Sequence, residues 1–233
     1  MTRTELIQEL RKYRCADLSD GMDALGLVNK GTMSDAMRPL RPGMEFKGYA
    51  YTVKLLPKQD GVKACKTVEE WREELGKGCN DIYRFVDGIT PETAKDMVVV
   101  IDMDGVVGGV WGSEIAMNTM IRGISGAVID GGCRDSYETN LEKANVFCTH
   151  RTFNHAYGRV TFGGVNVPIN CAGVLVNPGD IICADDDGVL VIPYDRAEEV
   201  LKFAHMQLED DIKTRGEHYQ KLGFEADDTL RRL

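Results

Sequence analysis

The chain has no apolar run approaching the roughly 20 residues that cross a bilayer, and it has no low-complexity tract and no internal repeat. A helical membrane span and a solenoid are thereby excluded. Positive charge is also in short supply: 28 Lys and Arg face 37 Asp and Glu, a net charge of -9. A nucleic-acid surface needs Lys and Arg clustered against phosphate, so no nucleic-acid partner is expected, and any anionic small molecule has to be bound locally. A disulfide pattern is missing too. The seven cysteines (15, 65, 79, 133, 148, 171 and 183) are odd in number, scattered, and mostly set in apolar segments such as NVFC and DIICAD, which is the pattern of reduced, buried thiols. The opening MTRTELIQELRKYR reads as an amphipathic helix instead of a signal peptide. The expected location is cytoplasmic, with no membrane partner. No linker interrupts the 233 residues, of which 43% are hydrophobic and 28% charged, and a single domain over residues 1–233 is the expectation.

What is present is a change of pattern along the chain. TELIQELRKY and ADLSDGMDALG have helical spacing, and the proline-bounded RPLRPGM leads into the alternating strand FKGYAYTVKLL. Residues 57–95 are polar and irregular, with a helix suggested around Trp71. From residue 97 the signal sharpens: MVVVIDM is a buried strand, SEIAMNTMIRGI a helix, GAVID a second buried strand, SYETNLEKAN a helix and NVFC a third strand. Strands alternating with helices imply parallel pairing. RVTFGGVNVPI, AGVLVNPGDIICADDDG and VLVIP then read as short antiparallel strands joined by turns, and a long helix from DRAEEVL closes the chain. The fold class is α/β, with helices covering sheet layers.

Two glycine-rich loops follow the two buried parallel strands, where open α/β sheets build their sites. In DGVVGGVWGSE, Ser113 is a natural N-cap, and the helix start then exposes the amides of Glu114, Ile115 and Ala116 as an anion site. In DGGCRD, Arg134 and Asp135 stand side by side. Arginine offers a fixed fork of donors to a carboxylate or enolate oxygen, and aspartate a hard oxygen for Mg²⁺ or Mn²⁺. Together they suit a 2-oxo acid: amides hold the carboxylate, a divalent metal on Asp135 chelates the 2-oxo acid, and Arg134 takes up the charge that develops when a C3–C4 bond breaks or carbon dioxide leaves.

VVVIDMDG…VWGSEIAMNTMIRGISGAVIDGGCRD and NVPINCAGVLVNPGDIICADDDGVLVIPYDRAEEVL, with ADLSDGMDALG and KGYAYTV before them, resemble the RraA-like family, which includes 4-hydroxy-4-methyl-2-oxoglutarate and 4-carboxy-4-hydroxy-2-oxoadipate aldolases. The most specific likeness is a glycine, an acid, about twenty residues and Arg-Asp. Gly112 matches the glycine, Arg134 the substrate-binding catalytic arginine and Asp135 the metal ligand, while Gly112, Ser113, Glu114 and Ile115 match the segment whose amides grip the pyruvate moiety. The chain departs from the pattern at Ser113, where the aldolases commonly carry the acid; here the acid is Glu114, about 100° further round a helix. The resemblance implies an α/β/β/α sandwich of the swivelling type with a long C-terminal helix, and a homotrimer or homohexamer with sites between subunits. It also implies an acid from a neighbour's last helix, for which Glu209 and Asp210 are the candidates, and a metal-dependent lyase releasing pyruvate or decarboxylating oxaloacetate. A non-catalytic binding or regulatory protein on the same fold is the alternative.

Each feature also has a plainer reading. An isolated Arg-Asp turn is usually a solvated ion pair, and Ser113 can be a cap alone. Asp185, Asp186 and Asp187 read as a tight turn. Asp102 in VVVIDMDG resembles the nucleophile motif of haloacid-dehalogenase phosphatases, with GDIICADDD as their later acidic motif. Lys54 is a Schiff-base candidate only if desolvated; alternation puts it on the wet face with Thr52. His150 and His155 lack metal-pair spacing and read as structural or subunit-contact residues, and Trp111 as packing.

Overall fold

The computed structural model describes residues 1–233. Helix α1 (Arg3–Leu10) starts at a capping box: the Glu5 N–H donates to the Thr2 hydroxyl, and the Thr2 N–H donates to the Glu5 carboxylate at 2.8 Å. After α2 (Cys15–Ala24) come β1 (Arg38–Pro39) and the long β2 (Phe46–Pro57). Helix α3 (Val68–Ile82), capped by Thr67, runs into a 3₁₀ turn over Tyr83–Gly88. The alternating region is β3 (Met97–Asp102), β4 (Gly109–Trp111), α4 (Ser113–Arg122), β5 (Gly126–Cys133), α5 (Ser136–Leu141) and β6 (Val146–Arg151). β7 (Val160–Val165), β8 (Ile169–Cys171), β9 (Val174–Val176), β10 (Ile181–Asp185), β11 (Gly188–Ile192) and α6 (Ala197–Leu222) complete it.

Nine strands share one sheet, in the order β1-β6-β5-β3-β2-β10-β11, with β4 added beside β5 and β7 beside β2; β8 and β9 form a separate ribbon. The expected parallel pairing holds for β2–β3, β3–β5, β4–β5 and β5–β6, and the later strands pair antiparallel. The two ends of the sheet approach each other, because Arg38 on β1 donates to the Asp187 carbonyl in the β10–β11 turn at 2.6 Å. This is the expected α/β/β/α class, its two β layers drawn from one nearly closed sheet.

One outer layer is α1, α2 and α6, whose Leu6, Ile7, Leu10, Leu18, Met22, Val200 and Leu201 bury against Tyr49, Ile181, Cys183 and Ile192. Gly21 permits the close crossing of α2 and α6, since a Cβ there would lie 2.5 Å from the Val200 carbonyl oxygen. The larger core fills the inside of the sheet from β2, β3, β5 and β6. No helix is long and apolar enough to cross a membrane.

Three expectations are corrected. β2 does not alternate: Phe46–Val53 are buried throughout, because the strand lies in the middle of the sheet and both its faces are covered. Thr52 is therefore buried and donates to the Val167 carbonyl, while Lys54 reaches Asp102 at 2.8 Å and Asp104 at 2.7 Å instead of standing in solvent. The two site loops are also shorter than expected, since the first contains β4 and β5 continues through the glycines to Cys133, with an irregularity after Ile129. The Asp185–Asp187 segment is the tight turn expected, with Asp185 accepting the Asp187 and Cys15 N–H groups and Asp186 that of Gly43.

Candidate functional site

Main-chain pairing draws the two loops together. β4 lies parallel to β5, opposite Gly132 and Cys133, and the Arg134 N–H donates to the Trp111 carbonyl at 2.8 Å. The chain then turns at both loops into α4 and α5. Gly112 is the N-cap of α4, in extended backbone, and the first intrahelical bond runs from Ala116 N–H to Gly112 O at 3.0 Å. This corrects the cap assignment. Ser113 is the first helical residue and its hydroxyl donates to the Glu142 carboxylate, so the amides left without intrahelical partners are those of Ser113, Glu114 and Ile115, with Ala116 already spent.

Gly112 is required by space. A Cβ there would lie 2.6 Å from Asp135 Oδ2 and 3.0 Å from Arg134 Cγ. Asp135 is the N-cap of α5 with left-handed backbone, φ 51° and ψ 40°, a conformation that costs a non-glycine residue about 1 kcal/mol. Its Oδ1 accepts from Arg134 Nε at 3.1 Å, and neither Arg134 Nη group has a protein acceptor.

These residues open onto a cleft of about 590 Å³ whose walls include Gly112, Glu114, Ile115, Arg134 and Asp135. Five of the six residues singled out in the sequence thus face one cavity; Ser113 does not, being turned to Glu142. The opposite wall comes from Cys79, Tyr83, Val86 and Asp87, and Asn118 stands one turn beyond Glu114 on α4. Tyr83 donates to the Val110 carbonyl at 3.0 Å, and burial pushes its hydroxyl far above the ordinary tyrosine range. Burial likewise raises the Cys79 thiol, with the Arg134 cation opposing the shift.

His155, expected as a structural or subunit-contact residue, also lines the cleft. Residues 154–156 run back along β4: the Gly109 N–H donates to Asn154 O at 2.8 Å and the Ala156 N–H to Gly109 O at 3.1 Å. The Tyr157 N–H donates to His155 Nδ1 at 2.7 Å. Burial first, and Arg134 second, hold the imidazole below its ordinary value. The neutral ring consequently carries its proton on Nε2, 4.0 Å from Cys79 Sγ. His150 lies on β6 beside Thr149, away from the cleft.

The other candidates lie elsewhere. Lys54 is held as an ammonium: partial burial lowers its value, but the hydrogen bonds to Asp102 and Asp104 outweigh that and leave it raised, the opposite of what a Schiff-base lysine needs. The phosphatase arrangement fails on register, because Asp102 pairs beside Lys54 while Ala184 pairs with Phe46, eight positions back along β2 or roughly 26 Å. Glu209 and Asp210 are exposed on α6 and outside the cleft of their own chain.

No three His, Cys, Asp or Glu side chains converge as a metal cage. Of the cleft's three carboxylates, Asp87, Glu114 and Asp135, the last stands beside Arg134 with its Oδ2 given to no protein donor. One carboxylate with water and substrate oxygens completing the shell is a donor set that fits Mg²⁺ or Mn²⁺.

Fold and cleft define an α/β protein with unspent amides, guanidinium and carboxylate gathered at the carboxyl ends of parallel strands. The chain belongs to the RraA-like family: the Aldolase/RraA family model matches residues 15–191. It is 34% identical over 216 residues to protein DlpA of Legionella pneumophila, covering 91% of this chain but 32% of that one, so it spans about a third of that relative's length. It is 29% identical to a putative 4-hydroxy-4-methyl-2-oxoglutarate aldolase of Halalkalibacterium halodurans, covering 89% of this chain and 85% of that protein. Streptomyces coelicolor RraAS2, described as an unusual member of the RNase ES inhibitor RraA protein family, shares the fold with a TM-score of 0.74 at 22% identity, over 91% of this chain and 96% of its own. The chain is thus similar in sequence to a protein named as an aldolase and in fold to one named for ribonuclease inhibition.

Proposed function

We propose that this chain is a divalent-metal-dependent lyase that cleaves a C–C bond of a 4-hydroxy-2-oxo diacid to release pyruvate, and that the same site decarboxylates oxaloacetate. The observation that carries this reading is the joining of Arg134 and Asp135 to the free amides of α4 in one cleft. The relative in Halalkalibacterium halodurans named as a putative aldolase over most of its length supports it.

In this reading the amides of Glu114 and Ile115 hold the substrate carboxylate, helped by the α4 dipole. Asp135 holds the Mg²⁺ or Mn²⁺, which supplies Lewis-acid polarisation of the 2-oxo group. Arg134, with both Nη groups unspent, donates to the oxygen that becomes negative as the C3–C4 bond breaks. The 4-hydroxyl proton leaves to a base and C4 becomes a carbonyl; the electron pair passes to the enolate, and protonation at C3 gives pyruvate. Glu114 and Asp87 are carboxylates of the same cleft. In the homotrimer or homohexamer that we also propose, α6 of a neighbouring copy brings Glu209 or Asp210. Ile121, Tyr137 and Leu141, 86%, 73% and 66% exposed on α4 and α5 beside the site, support such an assembly.

A second reading, a non-catalytic binding protein on this fold, is favoured by one observation: Ser113 stands where the aldolases carry an acid and is turned into Glu142. A pyruvate-release assay separates the two. Turnover of 4-hydroxy-4-methyl-2-oxoglutarate or oxaloacetate with added Mg²⁺ or Mn²⁺, lost with EDTA and in a folded Arg134→Ala variant, is the expected result. Oxalate binding with no turnover of either substrate establishes the second reading, and full activity in Arg134→Ala overturns the role given to that residue.

A further inference from the structure

A second cavity, of about 740 Å³, opens at the opposite end of the parallel strands from the cleft described above, beside Tyr49 and Tyr51 of β2 and Met97 at the start of β3. Two cations face it. The Arg3 guanidinium carbon lies over the Tyr49 ring, 3.9 Å from its centroid, with the Tyr194 ring at 5.6 Å. Its main chain is pinned too, because the Tyr49 hydroxyl donates to Arg3 O at 2.6 Å. The guanidinium has no carboxylate partner, its polar neighbour on the ring side being the Tyr49 hydroxyl, and Lys95 likewise has no carboxylate partner. Two acids share the same wall: Asp96 is neutralised by Arg11 at 2.8 Å, while Glu92 is exposed with no cationic partner, so Arg3 and Lys95 outnumber the one uncompensated carboxylate. Thr4, Thr93 and Asn166 add neutral hydrogen-bonding groups.

We propose that this cavity is a second binding site, for a small oxyanion carried by a phosphate ester or a dicarboxylate, with Arg3 and Lys95 as its charged contacts. A guanidinium stacked on an aromatic ring loses little conformational freedom when it takes up a planar or tetrahedral oxyanion. The site also adjoins the first one mechanically. The 3₁₀ turn Tyr83–Gly88 gives Tyr83, Val86 and Asp87 to the first cleft and Gly88 to this one. The Tyr51 hydroxyl grips that turn at Phe85 O, 2.9 Å away, and Arg122 at the end of α4 donates to Ile89 O at 2.7 Å. An anion held at Arg3 and Lys95 therefore bears on a wall that both cavities share.

The test is calorimetric titration of the full chain with inorganic phosphate and, separately, with malonate at constant ionic strength, a readout that does not depend on lyase activity. Saturable binding of at least one probe is expected, weakened at least about tenfold in Lys95→Ala and Arg3→Gln and unchanged in Arg134→Ala. Binding of phosphate alone identifies a phosphate ester as the source of the oxyanion, and binding of malonate alone a dicarboxylate. Lys95 is exposed and unpartnered, so its variant folds even if Arg3→Gln loosens α1. Absence of saturable binding by both probes, wild-type affinity in Lys95→Ala, or loss of binding in Arg134→Ala overturns the proposal; the last result places the anion in the other cleft.

Discussion

β3 and β5 are neighbouring parallel strands, and each ends in a cation beside a carboxylate, yet the two ends are in opposite chemical condition. At the end of β3, Lys54 spans Asp102 and Asp104, and the charges are spent on one another. At the end of β5, Arg134 gives one N–H to Asp135 and keeps the rest, while Asp135 Oδ2 faces the bare backbone of Gly112. The first is a strut that fastens β2 to β3; the second has capacity left over for a ligand. A charged pair signals a site through its unsatisfied donors and acceptors, not through its presence in a loop.

The comparison is sharpened most by Asp135→Asn. Asparagine tolerates the left-handed backbone, and the Asp135 side chain makes no cap hydrogen bond to α5 that the change could remove, so the urea midpoint should barely move, while kcat/KM should fall at least about a hundredfold through loss of the carboxylate. A variant that keeps its activity would make the two strand ends equivalent. Lys54→Met should do the reverse. It strands Asp102, only 4% exposed, without a cation, and should cost about 2–3 kcal/mol of stability in urea titrations, with activity per folded molecule intact. A stable Lys54→Met protein that has lost turnover would move Lys54 from strut to chemistry.

The smallest effect belongs to His155. Burial and Arg134 hold it below its unfolded value of about 6.5. The neutral ring is favoured in the folded state, so the stability tied to it is fully present above about pH 6.5 and is lost as pH falls through the lower folded value. His155→Gln should flatten that part of the stability–pH curve, and an unchanged slope would remove the imidazole from the site's electrostatics.

Much of this was legible in the residues alone, and the limits have physical causes. MVVVID and GAVID are continuous apolar runs because both faces of their strands are covered, and Gly112, Arg134 and Asp135 stood out because glycine and paired charge interrupt such runs. Covering of both faces also misled at β2, where YAYTVKLL imitates alternation although every position up to Val53 is buried. Residue preference points to Ser113 as the cap, but Gly112 takes the cap position and the hydroxyl finds Glu142, 29 residues away. The far wall of the cleft was invisible for a different reason. Cys79, Tyr83, Asp87 and His155 come from segments with no shared periodicity, and only the return of residues 154–156 along β4 brings His155 to Arg134.

That ladder along β4 has a consequence for how the architecture can change. Gly109, Trp111, Arg134, Asn154 and Ala156 are tied through peptide groups, so the aim of residues 134, 135 and 155 is set by main-chain bonds, with position 112 alone obliged to stay bare. Such a mount lets one chemistry be exchanged for another without rebuilding the cradle, and it lets a descendant lose its reactivity and keep its grip.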